Sequence, residues 1–330
     1  MNFSSDNAWG AHPAVMAGLV ACNDGAMMAY GADDVTRRAE AAIRAALDAP
    51  QAVVRFVATG TAANALVCAQ LCPAGGRIYC HQDAHVETSE CGAPEFFSHG
   101  GKLIGLPGDA GRVAPAPLAE ALRRGAGGGL TGGRNAMVSI TEATEWGAIY
   151  GPGEVAALAR VAHEAGVPLH MDGARFANAV ASLGCSAADL TWRAGVDVLC
   201  FGGTKNGAMA AEAVVFFDPA LAEGFDYRRK QSGHVFSKQR FLAAQMLALA
   251  EGGLWLDLAA QANARAARLS EAVLAAGGDL LAPVQTNAVF ATLPAELHRR
   301  ARAAGAIYHL WPDKSAEGLD PVPLRLLTAW

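Results

Sequence analysis

From about residue 35 to residue 217, short runs of β-branched and aromatic residues alternate with stretches whose apolar positions recur every three to four residues. Asp33 and Asp34 stand where they can cap a helix running to Leu47, and Val35, Ala39, Ile43, Ala46 and Leu47 fall on one face of it. The run at 53–57 (VVRFV) reads as a strand closed by Thr59, Gly60 and Thr61, with a helix through Leu71. Residues 77–80, 102–106 and 136–141 read as further strands. Pro152 suits a first helical turn, Val155, Leu158 and Ala162 make its buried stripe, and Gly166 ends it. Strands follow at 167–171, 196–201 and 213–217. Strands separated by helices predict parallel pairing with helices on both faces.

Beyond residue 241 the pattern changes. Residues 241–276 are helical almost throughout, with Gly252 and Gly253 as the break. A strand (285–292), a helix (294–304) and strands near Ile307 and Leu324 follow. This predicts a large domain with an N-terminal segment over residues 1–248 and a small α+β domain over 249–330. The Gly-rich stretch 125–133 reads as a flexible surface loop.

Composition narrows the class. The 330 residues are 52% hydrophobic and 17% charged, too apolar for a disordered chain and long enough for two domains. The net charge is −5 and no Lys/Arg run stands out, which argues against nucleic acid or an acidic membrane surface as partner. The seven cysteines show neither a CxxC pair nor zinc-like spacing and read as reduced thiols. The start of the chain does not read as a signal peptide, and Gly, Pro or charge interrupts every apolar run before about 18 residues. The expectation is a soluble, cytoplasmic protein.

In open parallel sheets, ligands sit beyond the carboxyl ends of the strands. Three polar groups occupy such places. In ATGTAAN, Gly60 permits close backbone approach and Thr61 adds a hydroxyl at a helix N-terminus, where an anion binds; a simple strand–helix turn would read the same. In LHMDGARF, Asp172 ends an apolar strand and needs a donor or a cation; it could instead cap the next helix or pair with Arg175. In CFGGTKNG, Lys205 follows a buried strand with almost no charge near it in sequence, a setting for a lowered pKa and Schiff-base chemistry, or for an exposed loop lysine. A phosphate cradle, an anion and a reactive lysine, in that order, are what pyridoxal phosphate needs.

SSDN at Ser5, YGADD, ATGTAAN, HVETSECG, LHMDGARFANA, FGGTKNGAMAAEAVVFF, YRRKQSGH and LRLLTAW carry a resemblance over essentially the whole chain. The sequence resembles the low-specificity L-threonine aldolases, in the branch acting on threonine and phenylserine, within the β-eliminating lyase group. The resemblance implies an α/β protein of aminotransferase fold type I, with a mostly parallel central sheet in the large domain. It implies pyridoxal phosphate as cofactor. Lys205 would hold its aldehyde as an imine, Asp172 would pair with the pyridinium, and Gly60 and Thr61 would bind the phosphate. Lys230 and Tyr30 would reach in from a neighbouring subunit, and His85 would stack on the ring. Ser5, Arg175 and Arg325 would hold the substrate carboxylate, Arg175 also bordering the cofactor, and Glu90 would line the β-hydroxyl side. The partners implied are a small amino-acid substrate and further copies of the chain, as a dimer of dimers. The implied reaction is retro-aldol cleavage of L-threonine, L-allo-threonine and related β-hydroxy amino acids to glycine and an aldehyde, with His85 as a candidate base. Where one branch carries a histidine, this chain has ATEWG, which leaves Glu145 as a substitute candidate. Related chains continue past the Arg325 strand into another helical stretch.

Other readings fit less well. His81, His85 and Glu87 lack the HExxH order and a third ligand, so no metal is expected; His81, His12 and His99 read as surface or loop histidines. Gly127, Gly129 and Gly132 spell GxGxxG, but ahead of a strand instead of after one. A non-catalytic pyridoxal-phosphate sensor would need an attached partner domain. β-Elimination on another amino acid would use the same Lys205, Asp172 and arginines, and stays open as the alternative.

Overall fold

The computed structural model describes residues 1–312 and 315–330. Among the described residues, the central sheet contains β1 (Val53–Val57), β2 (Gly76–His81), β3 (Lys102–Leu106), β4 (Arg134–Thr141), β5 (Leu169–Gly173), β6 (Val198–Gly202) and β7 (Glu212–Phe216). Their spatial order is β1-β7-β6-β5-β4-β2-β3. The β3-β2-β4-β5-β6 pairings are parallel, and β7 runs antiparallel to both its neighbours, β1 and β6. The parallel pairing expected for 213–217 is therefore corrected. Only residues 203–211 join β6 to β7, too few for a crossover of a dozen or more residues.

Strands β5, β6 and β7 are buried along their whole length, as a sheet covered on both faces requires. Side chains alternate between two apolar layers. In β6, Leu199 and Phe201 join one layer, and Val198 and Cys200 the other. The helices Asp34–Ala46, Pro152–Glu164, Phe176–Leu183 and Arg240–Ala250 build the first layer, and Gly60–Leu71 the second.

The smaller sheet is antiparallel, with β8 (Asp279–Leu280), β9 (Ala288–Leu293), β10 (His309–Leu310) and β11 (Val322–Leu327) in the order β8-β9-β11-β10. Helix Leu254–Ala275 packs on it through Ala266 and Val273. The first residues of the chain join this unit: the Phe3 amide donates to Ile307 O (2.7 Å) and Phe3 O accepts from the Leu327 amide (2.9 Å). The strand expected at 285–292 begins three residues later. Gln285, Thr286 and Asn287 bond outside the ladder instead, to Ile149, Gly147 and Thr328.

The stretch Arg240–Ala275 meets the length and hydropathy of a membrane span, and half of its most apolar window is buried in the protein. Gly252 and Gly253, both at positive φ, break it as expected. The Gly-rich stretch 125–133 is not a loop. It ends the helix Pro115–Gly127 and adds the turn Gly129–Gly132. Leu118, Leu122 and Gly125 form its buried face, and any side chain at 125 would collide with Asn135 and the Tyr79 hydroxyl.

Candidate active site

The carboxyl ends of five strands bring groups to a common cleft and its recess. Gly60 and Thr61 follow β1, His85 follows β2, Glu145 follows β4, Asp172 lies near the end of β5 and Lys205 follows β6. A cleft of about 540 Å³ is lined by Gly60, Thr61, His85, Asp172, Lys205 and Glu212. A small recess beside it adds Asn64, Glu145 and Arg175.

At one end, Thr59 caps the helix Gly60–Leu71: its hydroxyl accepts from the Ala62 amide (3.1 Å) and its carbonyl from the Ala63 amide (3.0 Å). The Gly60 and Thr61 amides find no protein acceptor among the described residues, and a Cβ on Gly60 would meet nothing within 4 Å. Unpaired amides at a helix N-terminus, facing open space, make an anion site. His234 supports the turn from behind, its Nδ1 accepting from the Ala58 amide (3.3 Å).

Lys205 sits on the turn Thr204–Asn206. Burial and then the Arg175 charge lower its pKa, against the opposing pull of Asp6, Asp172 and Glu212. Charge is sparse near Lys205 in sequence, but the fold brings four charged groups around it, Asp6, Asp172 and Arg175 from distant segments and Glu212 from the next strand. Glu212 Oε2 accepts from the Gly203 amide (2.7 Å), and burial raises its carboxyl to about 7.

Asp172 is 4% exposed. Its Oδ1 accepts from the Ala174 amide (3.0 Å) and its Oδ2 from Asn64 Nδ2 (2.8 Å). It does not cap the next helix, whose N-cap position is Arg175. Nor does it pair with Arg175, whose Nε and Nη2 bind Asp6 at 2.8 and 3.1 Å. Burial would raise the Asp6 carboxyl, but the charges of Arg175 and Lys205 outweigh it and hold it low. Asp6 also accepts from Asn287 (3.1 Å). Ser5 is spent on its own turn, its hydroxyl accepting from the Asn7 amide (3.1 Å). Arg325, on β11, lies 5.3 Å from the Trp311 ring centroid, and its buried Nε has no partner among the described residues.

His85 Nδ1 is 2.8 Å from Glu90 Oε1, and the Glu90 side chain is fully enclosed. Glu90 therefore does not line the cleft as expected; it lies behind His85, where burial raises its carboxyl. Glu145 Oε1 accepts from the His85 amide (2.7 Å), and burial raises its carboxyl to about 7. His81 is buried at 3% exposure, not at the surface, with Nδ1 accepting from the Asp83 amide.

Besides Glu90, four expected residues, Ser5, Arg325, Lys230 and Tyr30, are not among those lining the cleft or its recess. Lys230 and Tyr30 line a separate cleft of about 840 Å³, with Lys230 Nζ 4.9 Å from the Tyr30 ring centroid. Sequence reasoning missed Asp6, Asn64 and Glu212. Each stands inside a segment that carries the resemblance through other residues: SSDN, ATGTAAN and FGGTKNGAMAAEAVVFF.

An anion-binding helix end, an amine of lowered pKa and a buried carboxylate in one cleft form a donor set that suits pyridoxal phosphate. Comparison with known proteins agrees. A family model described as beta-eliminating lyase matches residues 2–296. The chain is 47% identical over 290 residues to the low specificity L-threonine aldolase of a Pseudomonas species, covering 87% of this chain and 83% of that protein. It is 45% identical over 305 residues to that of Pseudomonas aeruginosa, covering 92% and 87%. Among solved structures, Leishmania major threonine aldolase superposes with a TM-score of 0.92 at 26% identity, covering 100% of this chain and 94% of the other. An aspartate aminotransferase from Rhodobacter sphaeroides shares the fold, with a TM-score of 0.70 at 18% identity, covering 99% and 88%.

Proposed function

The chain belongs to the β-eliminating lyase family, and from that premise we propose that it is a pyridoxal-phosphate-dependent aldehyde-lyase cleaving L-threonine to glycine and acetaldehyde. L-allo-threonine and phenylserine-like amino acids fall within the same reading. The observation that carries it is the convergence of Lys205, Asp172, His85 and the Gly60–Thr61 amides on one cleft at the strand ends.

Pyridoxal phosphate, when bound, supplies an electron sink for the breaking Cα–Cβ bond. In this reading the chain's own residues do the following. The Gly60 and Thr61 amides bind the phosphate. Lys205, its pKa lowered by burial and Arg175, offers an unprotonated amine more readily than a surface lysine does. Asp172, fixed by Ala174 and Asn64, holds a proton at the ring nitrogen. Arg325, whose Nε has no partner among the described residues, takes the substrate carboxylate, whereas two nitrogens of Arg175 are already filled by Asp6. Holding the carboxylate orients the bond to be broken. His85, tied through Nδ1, receives the β-hydroxyl proton at Nε2, and Glu145, whose Oε1 accepts from the His85 backbone amide, is the second candidate acid beside it.

The reading also makes the active unit a homo-oligomer, a dimer of dimers, in which Lys230 and Tyr30 complete a neighbour's cleft. Their position outside the Lys205 cleft supports this, as does Tyr30's 57% exposure. So does the apolar helix Pro13–Cys22, which buries only Val15 and Cys22. Residues 1–248 carry the cofactor groups and 249–330 bring Arg325. The seven unpaired cysteines suit a reducing, cytoplasmic setting.

The test is product analysis of cofactor-loaded protein with L-threonine and, separately, β-chloroalanine. Glycine and acetaldehyde in equal amounts from threonine support the proposal. Pyruvate from β-chloroalanine with no glycine from threonine favours β-elimination and sinks it.

A further inference from the structure

Asn64 lies in the first half of the helix Gly60–Leu71 and is 2% exposed. Its Nδ2 stands 2.8 Å from Glu90 Oε1 and 2.8 Å from Asp172 Oδ2. An amide nitrogen carries two hydrogens, so one donation can go to each acid. The opposite orientation of the amide would set its oxygen against two carboxylates. Asn64 Oδ1 is instead buried with no donor among the described residues, and Glu90 Oε2 is likewise left without one. The bridge is therefore kept at the expense of two unsatisfied atoms, which a mere packing residue would not need.

Beyond the bridge, Glu90 Oε1 reaches His85 Nδ1 at 2.8 Å. A carboxylate on Nδ1 fixes the proton there and leaves Nε2 as the lone-pair atom of the neutral ring. The His85 ring lines the cleft. The other charged groups around this chain of contacts are Glu145 at the His85 amide, and Arg175 and Lys205 across the recess.

We propose that Asn64 is a positioning residue that ties the two acids of the site together, holding Asp172 Oδ2 with one amide hydrogen and Glu90 Oε1 with the other, so that His85 keeps its proton on Nδ1 and presents a bare Nε2 to the cleft. The use of that bare Nε2 on a substrate hydroxyl rests on the proposed function; the tautomer and the bridge do not.

The experiment is nitrogen-15 NMR of the histidine side chains in the cofactor-loaded protein, with His85→Gln used to assign the His85 signals, alongside kinetics on L-threonine. In the wild type, Nδ1 of the neutral ring is expected to carry the proton and Nε2 to be bare. Asn64→Ala should leave His85 as a mixture of tautomers. Its kcat should fall by about ten- to a hundredfold, the scale of a charge-assisted hydrogen bond, with KM changed much less. If Asn64→Ala does not fold, Glu90→Gln serves instead. Its amide can donate to His85 Nδ1 and should move the proton to Nε2. A wild type already protonated at Nε2 overturns the proposal. So does Asn64→Ala, or Glu90→Gln in its place, with the wild-type tautomer and kcat within about twofold. If the wild type cleaves no threonine, the functional reading fails, while the tautomer measurement still decides the bridge.

Discussion

The Lys205 cleft and the Tyr30–Lys230 cleft each hold a lysine, but they are built in different ways. In the first, groups from five strand ends are drawn inward, and Asp172, Glu90, Glu145, Glu212 and Asp6 each accept a hydrogen bond from within the chain. Burial there moves the ionisation of Lys205, Glu90, Glu145 and Glu212 toward neutrality. In the second, the cation rests on an exposed aromatic ring, and beside it Asp226 pairs with Arg55 and Arg229, and Glu40 with Arg55. The first arrangement prepares groups for chemistry inside this chain. The second offers a cation and a ring outward and suits a site completed on another copy.

The comparison breaks most sharply at Lys205. Lys205→Ala should abolish the visible absorption band of the bound cofactor and most turnover, since the other cleft's lysine cannot substitute for it. A variant that keeps both would equate the two lysines and end the distinction.

Asp172→Asn comes next. Opposite charges in contact are worth up to about 5 kcal/mol at an effective dielectric near 20, before desolvation is subtracted. Each ~1.4 kcal/mol is a tenfold rate factor, so kcat should fall by about two to three orders of magnitude. Cofactor affinity should fall less, because the Gly60 and Thr61 amides are untouched. A purely structural Asp172 would reverse the pattern, with a lower Tm and a kcat near wild type in the folded fraction.

Lys230→Ala sharpens the second cleft. Its contact with Tyr30 is worth only about 0.5–1 kcal/mol at an exposed site, so the fold should barely notice. If Lys230 serves a neighbour's phosphate, cofactor Kd should rise by about tenfold, a loss of ~1.4 kcal/mol. An unchanged Kd in an intact oligomer removes it from any site.

The smallest effect is a pH dependence confined to the first cleft. The folded Glu212 carboxyl lies at about 7 against an ordinary 4.5. Between those values the folded state keeps a proton that the unfolded chain has released, so stability falls as pH rises through the window. Glu212→Gln should flatten the fall in Tm of the cofactor-free protein, by an amount on the order of 1 kcal/mol once water in the open cleft screens it. Glu145, also raised to about 7, leaves a residual slope. An unaltered pH profile would place Glu212 in a wetter setting than the cleft provides.

Much of this is legible in the sequence. The runs at 53–57 and 102–106 are strands with those bounds. Lys205, Asp172 and Gly60 stand out because each closely follows an apolar run and is a glycine or lies within two residues of one, a purely local signal. The direction of β7 was not legible, because a buried strand reads the same in either sense. The helix through Gly125 was hidden by residues that usually mark loops, and tertiary packing of Leu118 and Leu122 outweighed that propensity. The parts played by Asn64 and Asp6 depend on contacts spanning 108 to 281 positions, such as Asn64–Asp172 and Asp6–Asn287, which no window of sequence displays, and the placement of Glu90 behind His85, five positions away, depends on burial that a short segment does not reveal.

The most direct test of the central claim is reduction of the cofactor-loaded protein with borohydride, followed by mass mapping of its peptides. The account predicts a pyridoxyl group on the peptide bearing Lys205, near one per chain, and none on Lys230. A pyridoxyl group carried mainly by Lys230, or by any lysine outside the Lys205 cleft, would contradict it.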